Sequence, residues 1–245
     1  MLFSKRTIAA LLCTLILSGC AATTHKSASD LASQEDILLK SKNYEGLINL
    51  YRSLLKEKED PNTRLKLSRY YYQAGDYKSS LYYLQPLLAK ADLNVYTQQA
   101  KSLIAAGDYP QAIRVADTML AKSPKSGEAY NLRGIALASS GKLSEGNQSI
   151  QKARDLFIAD DVAINNLAMV AMLDQRYQDA VSLLLPQYQR GSKQSKTLHN
   201  LVLALVKVGD IRYARNIIES ENLSDNPNEL IDALSLVGPL KKGVA

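Results

Sequence analysis

Apolar residues recur along this chain at the spacing of amphipathic helices. Leu198, Leu201, Val202 and Leu205 show the pattern, with apolar neighbours three or four positions apart on one face. Short polar turns separate such segments, no segment is predicted to be a strand, and the chain is therefore expected to be all-α. We expect helices over residues 30–41, 44–59, 61–74, 77–90, 93–106, 109–122, 127–140, 143–156, 161–174, 177–190, 195–208 and 211–222.

A three-residue turn recurs between pairs of these helices. It reads Gly-Asp-Tyr at 75–77 and 107–109, with altered copies at 141–143, 175–177 and 209–211 and a weaker copy at 42–44. The third residues stand at 44, 77, 109, 143, 177 and 211, so the spacings are 33, 32, 34, 34 and 34. The Gly is expected to end one helix in a left-handed conformation, and the Asp or Asn to cap the next helix.

Small side chains occupy two further positions of this repeat, where two helices would have to approach closely. They are Ser80, Ala112, Gly146, Ala180 and Ala214 after the turn, and Ser68, Ala100, Gly134 and Ala168 before it, while Leu47, Glu35 and Val202 depart. The period and these residues resemble the tetratricopeptide repeat (TPR) family. The resemblance implies a superhelical solenoid of about six helix-turn-helix units over residues 30–225.

A last helix over residues 226–238 is predicted to close the solenoid. Asn226 would cap it, Pro227 suits the first helical position, and Gly238-Pro239 would stop it. Its apolar side chains would cover the open face of the last unit, as terminal repeats require; these are Leu230, Ile231, Leu234 and Val237. Residues 239–245 would be a tail.

The amino terminus predicts export and a lipid anchor. Lys5 and Arg6 precede an apolar run of eleven residues, 7–17, which is too short for a membrane span and suits a signal peptide over residues 1–19. The tetrapeptide at 17–20, Leu-Ser-Gly-Cys, resembles a bacterial lipobox, which implies an acylated Cys20 followed by a flexible tether over residues 20–29. Ala21 and Ala22 resemble the sorting signal of outer-membrane lipoproteins. The alternative is an ordinary secretory signal in which Cys20 is incidental.

Charge and candidate chemistry argue against nucleic-acid binding and catalysis. The net charge is +6, and basic residues alternate with acidic ones rather than forming a basic stripe. His199 has no cluster of metal ligands around it, and Asp160 and Asp161 are interpreted as capping a helix start. We therefore expect a non-enzyme with no metal and no cofactor apart from the lipid on Cys20.

The first helices of successive TPR units line a concave groove, and the groove is the predicted binding site for protein. The candidate contact residues are Lys66, Arg69, Tyr72, Gln98, Lys101, Asn131, Asn165, Asn166, Lys196, His199 and Asn200. Amides flanked by cations suit the backbone and acidic groups of an extended peptide. The alternative is that these Asn side chains only satisfy neighbouring helix ends.

Aromatic and proline residues add two expectations. Tyr71 is expected in the core, Tyr72 in the groove and Tyr83 towards solvent. Pro86 and Pro186 share one repeat position inside a second helix, where each would remove a backbone hydrogen bond and bend the axis.

Length, lipobox and repeat number together resemble the TPR lipoprotein of the tight-adherence (Tad) system, which assembles Flp-type pili. That resemblance implies an anchor in the outer membrane, a periplasm-facing solenoid, and partners such as the secretin or other pilus-assembly proteins. The TPR pilotin lipoprotein of type IV pili is the nearest alternative. A scaffold for cell-wall hydrolases or for outer-membrane biogenesis is another.

Overall fold

The computed structural model describes residues 28–238, and this part of the chain consists of helices joined by short turns. The α-helices are α1 (Ala28–Lys40), α2 (Tyr44–Glu57), α3 (Pro61–Gln73), α4 (Tyr77–Leu84), α5 (Leu93–Ala105), α6 (Tyr109–Lys122), α7 (Gly127–Ser139), α8 (Leu143–Asp155), α9 (Asp160–Leu173), α10 (Tyr177–Gln189), α11 (Ser195–Val208), α12 (Ile211–Ser220) and α13 (Pro227–Leu236). A 3₁₀ helix covers Gln85–Lys90. The predicted all-α class is confirmed, and the main departure in helix boundaries lies in the helix expected over 77–90.

The chain divides into two compact units, one ending at Lys42 and one beginning at Asn43. In the first, α1 is stabilised by an ion pair of 2.6 Å between Asp36 and Lys40. The second contains α2 to α13, in which each helix packs against its neighbours in sequence. The signal peptide, Cys20 and the tail after residue 238 lie outside the described residues, whereas α1 begins at Ala28, two residues before the predicted start of the solenoid.

Side-chain caps start most of the second helices. Asn43, Asp76, Asp108 and Asp210 each accept a hydrogen bond from the backbone N–H three residues later. This bond satisfies one of the N–H groups that have no partner within the helix. The turn therefore ends one helix and begins the next within three residues, as its sequence predicts.

The residue before each cap adopts the left-handed conformation. Gly75, Gly107 and Gly209 have φ between 82° and 87°. Gln175 occupies the same repeat position with φ 59°, although a Cβ makes this conformation costly. The conformation is thus imposed by the repeat, and glycine is not required to form it.

Two glycines bring α7 and α8 into close contact. A Cβ at Gly134 would lie 2.5 Å from Ile150 Cγ1, and a Cβ at Gly146 would lie 2.8 Å from the backbone N of Ala138. The other small side chains of both repeat positions are likewise buried, including Ser80, Ala112 and Ala168. Leu47, which departs from the pattern, is also fully buried. The position therefore requires a buried side chain but not always a small one.

Where one unit carries serine at both of these positions, the hydroxyls form a buried chain with Ser102 of the next unit. Ser68 Oγ lies 3.0 Å from Ser80 Oγ, and Ser80 Oγ lies 2.8 Å from Ser102 Oγ. Gln98 Nε2 donates to Ser102 Oγ at 3.2 Å. Each buried hydroxyl therefore has a partner, which avoids the cost of an unsatisfied polar group between α3, α4 and α5.

The two prolines of the shared repeat position have different effects. Pro186 lies inside a continuous α10, whereas at Pro86 the α-helix has already given way to the 3₁₀ segment. The unit from Tyr77 to Tyr109 is two residues shorter than the 34-residue units. Because a 3₁₀ helix rises about 2.0 Å per residue instead of about 1.5 Å, six residues gain roughly the 3 Å that two α-helical residues supply.

Two expectations for tyrosine side chains were wrong. Tyr70, rather than Tyr71, is the buried tyrosine of α3, and its ring centroid lies 5.1 Å from that of Tyr51. Tyr71 is half-buried and stacks on Tyr83, which is therefore not turned to solvent. This stacked pair joins α3 to α4.

Two further corrections concern helix ends. Asp160 and Asp161 lie within the first turn of α9 rather than at its cap position, which is Ala159, but Asp161 Oδ1 accepts a hydrogen bond from the Val162 N–H at 2.9 Å. Asp160 instead pairs with Arg154 at 2.6 Å. In α13, Ile231 is buried against the last unit, but Val237 follows the end of the helix and stays exposed.

Candidate functional site

A concave groove of about 620 Å³ runs along the first helices of the central and last units. We call it the concave groove. Its walls come from α5, α7, α9 and α11, with Tyr72 of α3 at one end. The lining residues are Tyr72, Lys101, Ile104, Ala105, Glu128, Asn131, Leu132, Ile135, Val162, Asn165, Asn166, Met169, Lys196, His199 and Asn200.

Asparagine pairs connect neighbouring first helices across this groove. Asn166 Nδ2 of α9 donates to Asn131 Oδ1 of α7 at 2.7 Å. Asn200 Nδ2 of α11 donates to Asn165 Oδ1 of α9 at 3.0 Å. We call these two bonds the amide rungs. Asn131 is only 5% exposed, so its amide serves to stabilise the stack. Asn165, Asn166 and Asn200 are half-buried and retain hydrogen-bonding capacity for a peptide.

Charges sit at the two ends of the concave groove. Lys101 Nζ lies 2.9 Å from Glu128 Oε1, so this cation is largely neutralised. Lys196 and His199 are exposed on the first turns of α11, and His199 Nδ1 lies 3.4 Å from Ser195 Oγ. Among the described ion pairs none involves Lys196, and the α11 end is consequently the more positive one.

Between the ends, the floor of the groove is apolar. Ile104, Ile135 and Met169 are half-buried and line it together with buried Leu132. Sequence reasoning missed these residues because it followed two repeat positions, whereas the floor lies one or two helical turns further along each first helix. Their partial exposure gives a peptide side chain an apolar surface to cover.

Eight of the eleven predicted contact residues line the concave groove, and three do not. Gln98 is only 5% exposed and bonds to Ser102. Lys66 Nζ donates to the Tyr51 hydroxyl at 3.0 Å, next to a ring whose centroid is 5.4 Å away. Arg69 is exposed on α3 but is not part of the groove lining. Whether any of the eight contacts a partner stays a prediction.

No candidate metal cluster occurs among the described residues, and no helix of residues 28–238 is long and apolar enough to cross a bilayer. The predicted lipidation site, Cys20, lies outside this range.

Comparison with known proteins agrees with the repeat architecture. Residues 98–217 match the family described as Psidin, N-terminal TPR repeats region. A thermophilic TPR protein of Thermus thermophilus has 18% identity and a TM-score of 0.63, and the match covers 73% of this chain and 98% of that one. These matches show that the chain has the TPR fold.

Two further TPR structures show the same fold. A TPR protein of Parabacteroides merdae has 12% identity and a TM-score of 0.60, with 84% of this chain and 83% of that chain covered. The APC/C hetero-tetramer Cut9-Hcn1 gives 14% identity and a TM-score of 0.58, with 82% of this chain and 39% of that chain covered. No curated protein matches the sequence. TPR folds are typically non-enzymatic scaffolds for protein binding.

Proposed function

We propose that this TPR protein is a lipid-anchored, non-enzymatic scaffold that binds a partner segment in the concave groove and assists assembly of a Flp/Tad pilus. Cys20 would carry the lipid and hold the solenoid on the periplasmic side of the outer membrane. The observation that carries the binding role is the groove itself, in which amides, an apolar floor and a positive end converge over four first helices.

The groove chemistry defines the segment that fits. Ile104, Ile135 and Met169 would cover apolar side chains, and the free groups of the amide rungs would bond the peptide backbone. Lys196 and His199 would attract a carboxylate at the α11 end. We therefore propose an extended segment with apolar residues followed by an acidic one, such as an exposed tail of a secretin or another pilus-assembly protein.

The pilus assignment rests on the lipobox, the length and the repeat number together. Cut9-Hcn1 is a hetero-tetramer, and its likeness to this chain supports protein binding without bearing on pili. A pilotin of type IV pili, or a scaffold for cell-wall hydrolases or outer-membrane biogenesis, would use the same anchor and groove.

A cross-linked capture of the full-length protein from the envelope of its own bacterium tests this proposal. Four forms run in parallel: the unchanged chain, Cys20→Ala, the groove variant Lys196→Glu, and Lys152→Glu as a control. Lys152 is an exposed cation of α8 outside the groove lining, so it reports charge reversal alone. Mass spectrometry identifies the captured proteins.

We expect secretin and pilus-platform proteins with the unchanged chain and with Lys152→Glu. Lys196→Glu should lower their recovery, because a carboxylate repels the acidic end of the segment. Cys20→Ala should abolish it by releasing the solenoid from the membrane. Recovery of hydrolases or outer-membrane assembly proteins instead would reject the pilus assignment, and equal recovery with Lys196→Glu would reject the groove as the binding site.

A further inference from the structure

Phe157 is the most exposed large hydrophobic side chain among the described residues. It is 95% exposed, follows the end of α8, and has a left-handed backbone with φ 63°. Both properties are unfavourable, because the left-handed conformation strains a residue with a Cβ and a solvated phenyl ring loses burial. Strained residues of this kind persist where the surrounding structure imposes them, often at functional sites.

The repeat offers a direct comparison. Gly191 stands 34 residues later, at the equivalent position after α10, with φ 91°. The other connections between units are short and polar, as at residues 58–60, 123–126 and 190–194, whereas 156–159 reads Leu-Phe-Ile-Ala. The fold therefore needs a left-handed residue here but does not need a phenylalanine.

The connection that carries Phe157 is held on both sides. Arg154 Nε donates to Asp160 Oδ1 at 2.6 Å across the turn, and Ile158 packs so closely on Gly127 that a Cβ there would meet it at 2.6 Å. The Phe157 N–H also donates to the Arg154 carbonyl at 3.0 Å. The ring is therefore presented from a fixed base, which reduces the ordering cost of docking.

A concavity that fits an aromatic ring lies at the same edge of the stack. It has a volume of about 390 Å³ and is lined by Pro61, Asn62, Leu65, Pro86, Leu87, Ala89, Lys90, Asp92 and Val95. We call it the Pro86 pocket. It exists because the 3₁₀ segment and the starts of α3 and α5 meet there. Successive helices of the stack run antiparallel, so this pocket and Phe157 share the edge that carries the connections between units.

We propose that two copies of this chain associate edge to edge, with Phe157 of each copy inserted into the Pro86 pocket of the other. The pocket adjoins the second connection between units and Phe157 lies in the fourth. If a two-fold axis passes beside the third connection, residues 123–126, Phe157 of each copy meets the Pro86 pocket of the other copy. This proposal is independent of the partner bound in the concave groove.

Charge favours a second copy over a lipid surface as the environment of Phe157. Asp155, Asp160 and Asp161 lie within four residues of the ring. Arg154 pairs with Asp160, but the carboxylates outnumber this one cation and would be repelled by anionic lipid. The rim of the Pro86 pocket carries one charge of each sign, exposed Lys90 and exposed Asp92, and in the proposed contact Lys90 would face Asp155.

Thiol cross-linking between two tagged full-length copies tests the contact. One copy carries Phe157→Cys and the other Leu87→Cys, and membranes containing both are treated with a short bismaleimide. We expect a cross-linked dimer holding both tags only in the mixture. Neither variant alone and no chain with natural cysteines should give it. Absence of the mixed product, or equal cross-linking of Phe157→Cys with itself, would overturn the proposed register.

Co-capture of the two tags then tests whether Phe157 drives association. Phe157→Gly, which copies Gly191, should lower co-capture about tenfold or more while the thermal midpoint stays at or above that of the unchanged chain. Tyr82→Ala removes another aromatic ring that is 70% exposed and should leave co-capture unchanged. The proposal fails if the tags never co-purify, if Phe157→Gly leaves co-capture intact, or if it only weakens membrane attachment.

Discussion

In each turn one residue adopts the left-handed backbone conformation, but the residue type at this position differs between turns. Glycine occupies it at 75, 107 and 209, whereas Gln175 holds the same conformation with a Cβ. Arg176 follows Gln175 and supplies no side-chain cap to α10, so the cost of Gln175 is best measured by changing that residue alone.

Gln175→Gly should therefore raise the free energy of unfolding by up to about 1 kcal/mol, measured by urea denaturation. The reciprocal control is Gly75→Ala, where nothing lies within 4 Å of the added Cβ. It should lower stability by about 1 kcal/mol through backbone strain alone. A loss of stability in Gln175→Gly would contradict this account.

At Gly134 glycine is needed for a different reason, the close packing of α7 on α8, and the substitution Gly134→Ala tests this packing. Helix propensity alone would make the change favourable by about 1 kcal/mol. The new methyl would meet Ile150 Cγ1 at 2.5 Å and the Gly146 carbonyl at 2.9 Å, so we expect destabilisation of about 1–3 kcal/mol. Ser144→Ala, on the exposed face of α8, is the matched change without a clash. A stabilised Gly134→Ala would show that α7 and α8 separate easily.

Residue-level prediction from sequence succeeded where the repeat specifies a backbone conformation or burial. It placed the small side chains and the left-handed glycines correctly. It failed for Tyr71 and Gln98, because which of two adjacent residues enters the core depends on the rotation of α3 and α5. Ser102, the partner of Gln98, could not be identified before the fold brought three serines together.

At the scale of the helix, capping carries a pH dependence. The Ser79 hydroxyl and backbone N–H both donate to Asp76, and these bonds lower the pKa of the carboxyl. A lowered pKa in the folded state contributes stability at pH above the unfolded pKa, which is about 4. That contribution is lost as pH falls through the folded pKa.

Asp76→Asn should keep most of the cap without titrating. At pH 7 we expect stability within about 0.5 kcal/mol of the unchanged chain, and between about pH 5 and pH 2 a smaller loss than in the unchanged chain. Urea midpoints across this range test the difference. Asp225→Asn removes an exposed carboxylate that caps no helix and serves as control. Parallel pH curves for the unchanged chain and Asp76→Asn would reject the cap as the cause.

Helix prediction worked because each unit carries its own start and stop signals. The break before Pro86 was not predicted, although the 32-residue spacing of that unit was visible. The same proline position tolerates a continuous helix in α10, so proline alone does not decide the outcome. The shortened unit decides it, since fewer residues must cover the same distance.

At the scale of the whole stack, α13 covers the apolar face of the last unit and so shields the carboxyl-terminal end from water. Ile231 is 5% exposed and belongs to the apolar cluster that contains Leu205, Ile217 and Ile218. Ile231→Asp places a charge in that cluster, and solenoids lose order from an end that is no longer covered.

Hydrogen exchange should therefore rise first in α11 to α13 of Ile231→Asp, while α7 and α8 remain protected. Leu236→Asp, at a position 84% exposed, is the control and should change nothing. Uniform loss of protection along the chain would show that the stack unfolds as one unit.

The candidate site was predicted in part because repeat position defines which way a first helix faces. That rule found the asparagines, Lys196 and His199. It could not find the apolar floor or the Lys101–Glu128 pair, which depend on distances between units.

The amide rungs also have a mechanical consequence. Both cross the inner side of the stack, at 2.7 and 3.0 Å, and hydrogen bonds of this kind are lost after a stretch of roughly 1 Å or less. Apolar contacts between the same helices are non-directional and tolerate more movement. Tension that straightens the stack therefore breaks the rungs first. A chain tethered through Cys20 as proposed would resist small loads stiffly, then yield and open its groove once the amides part.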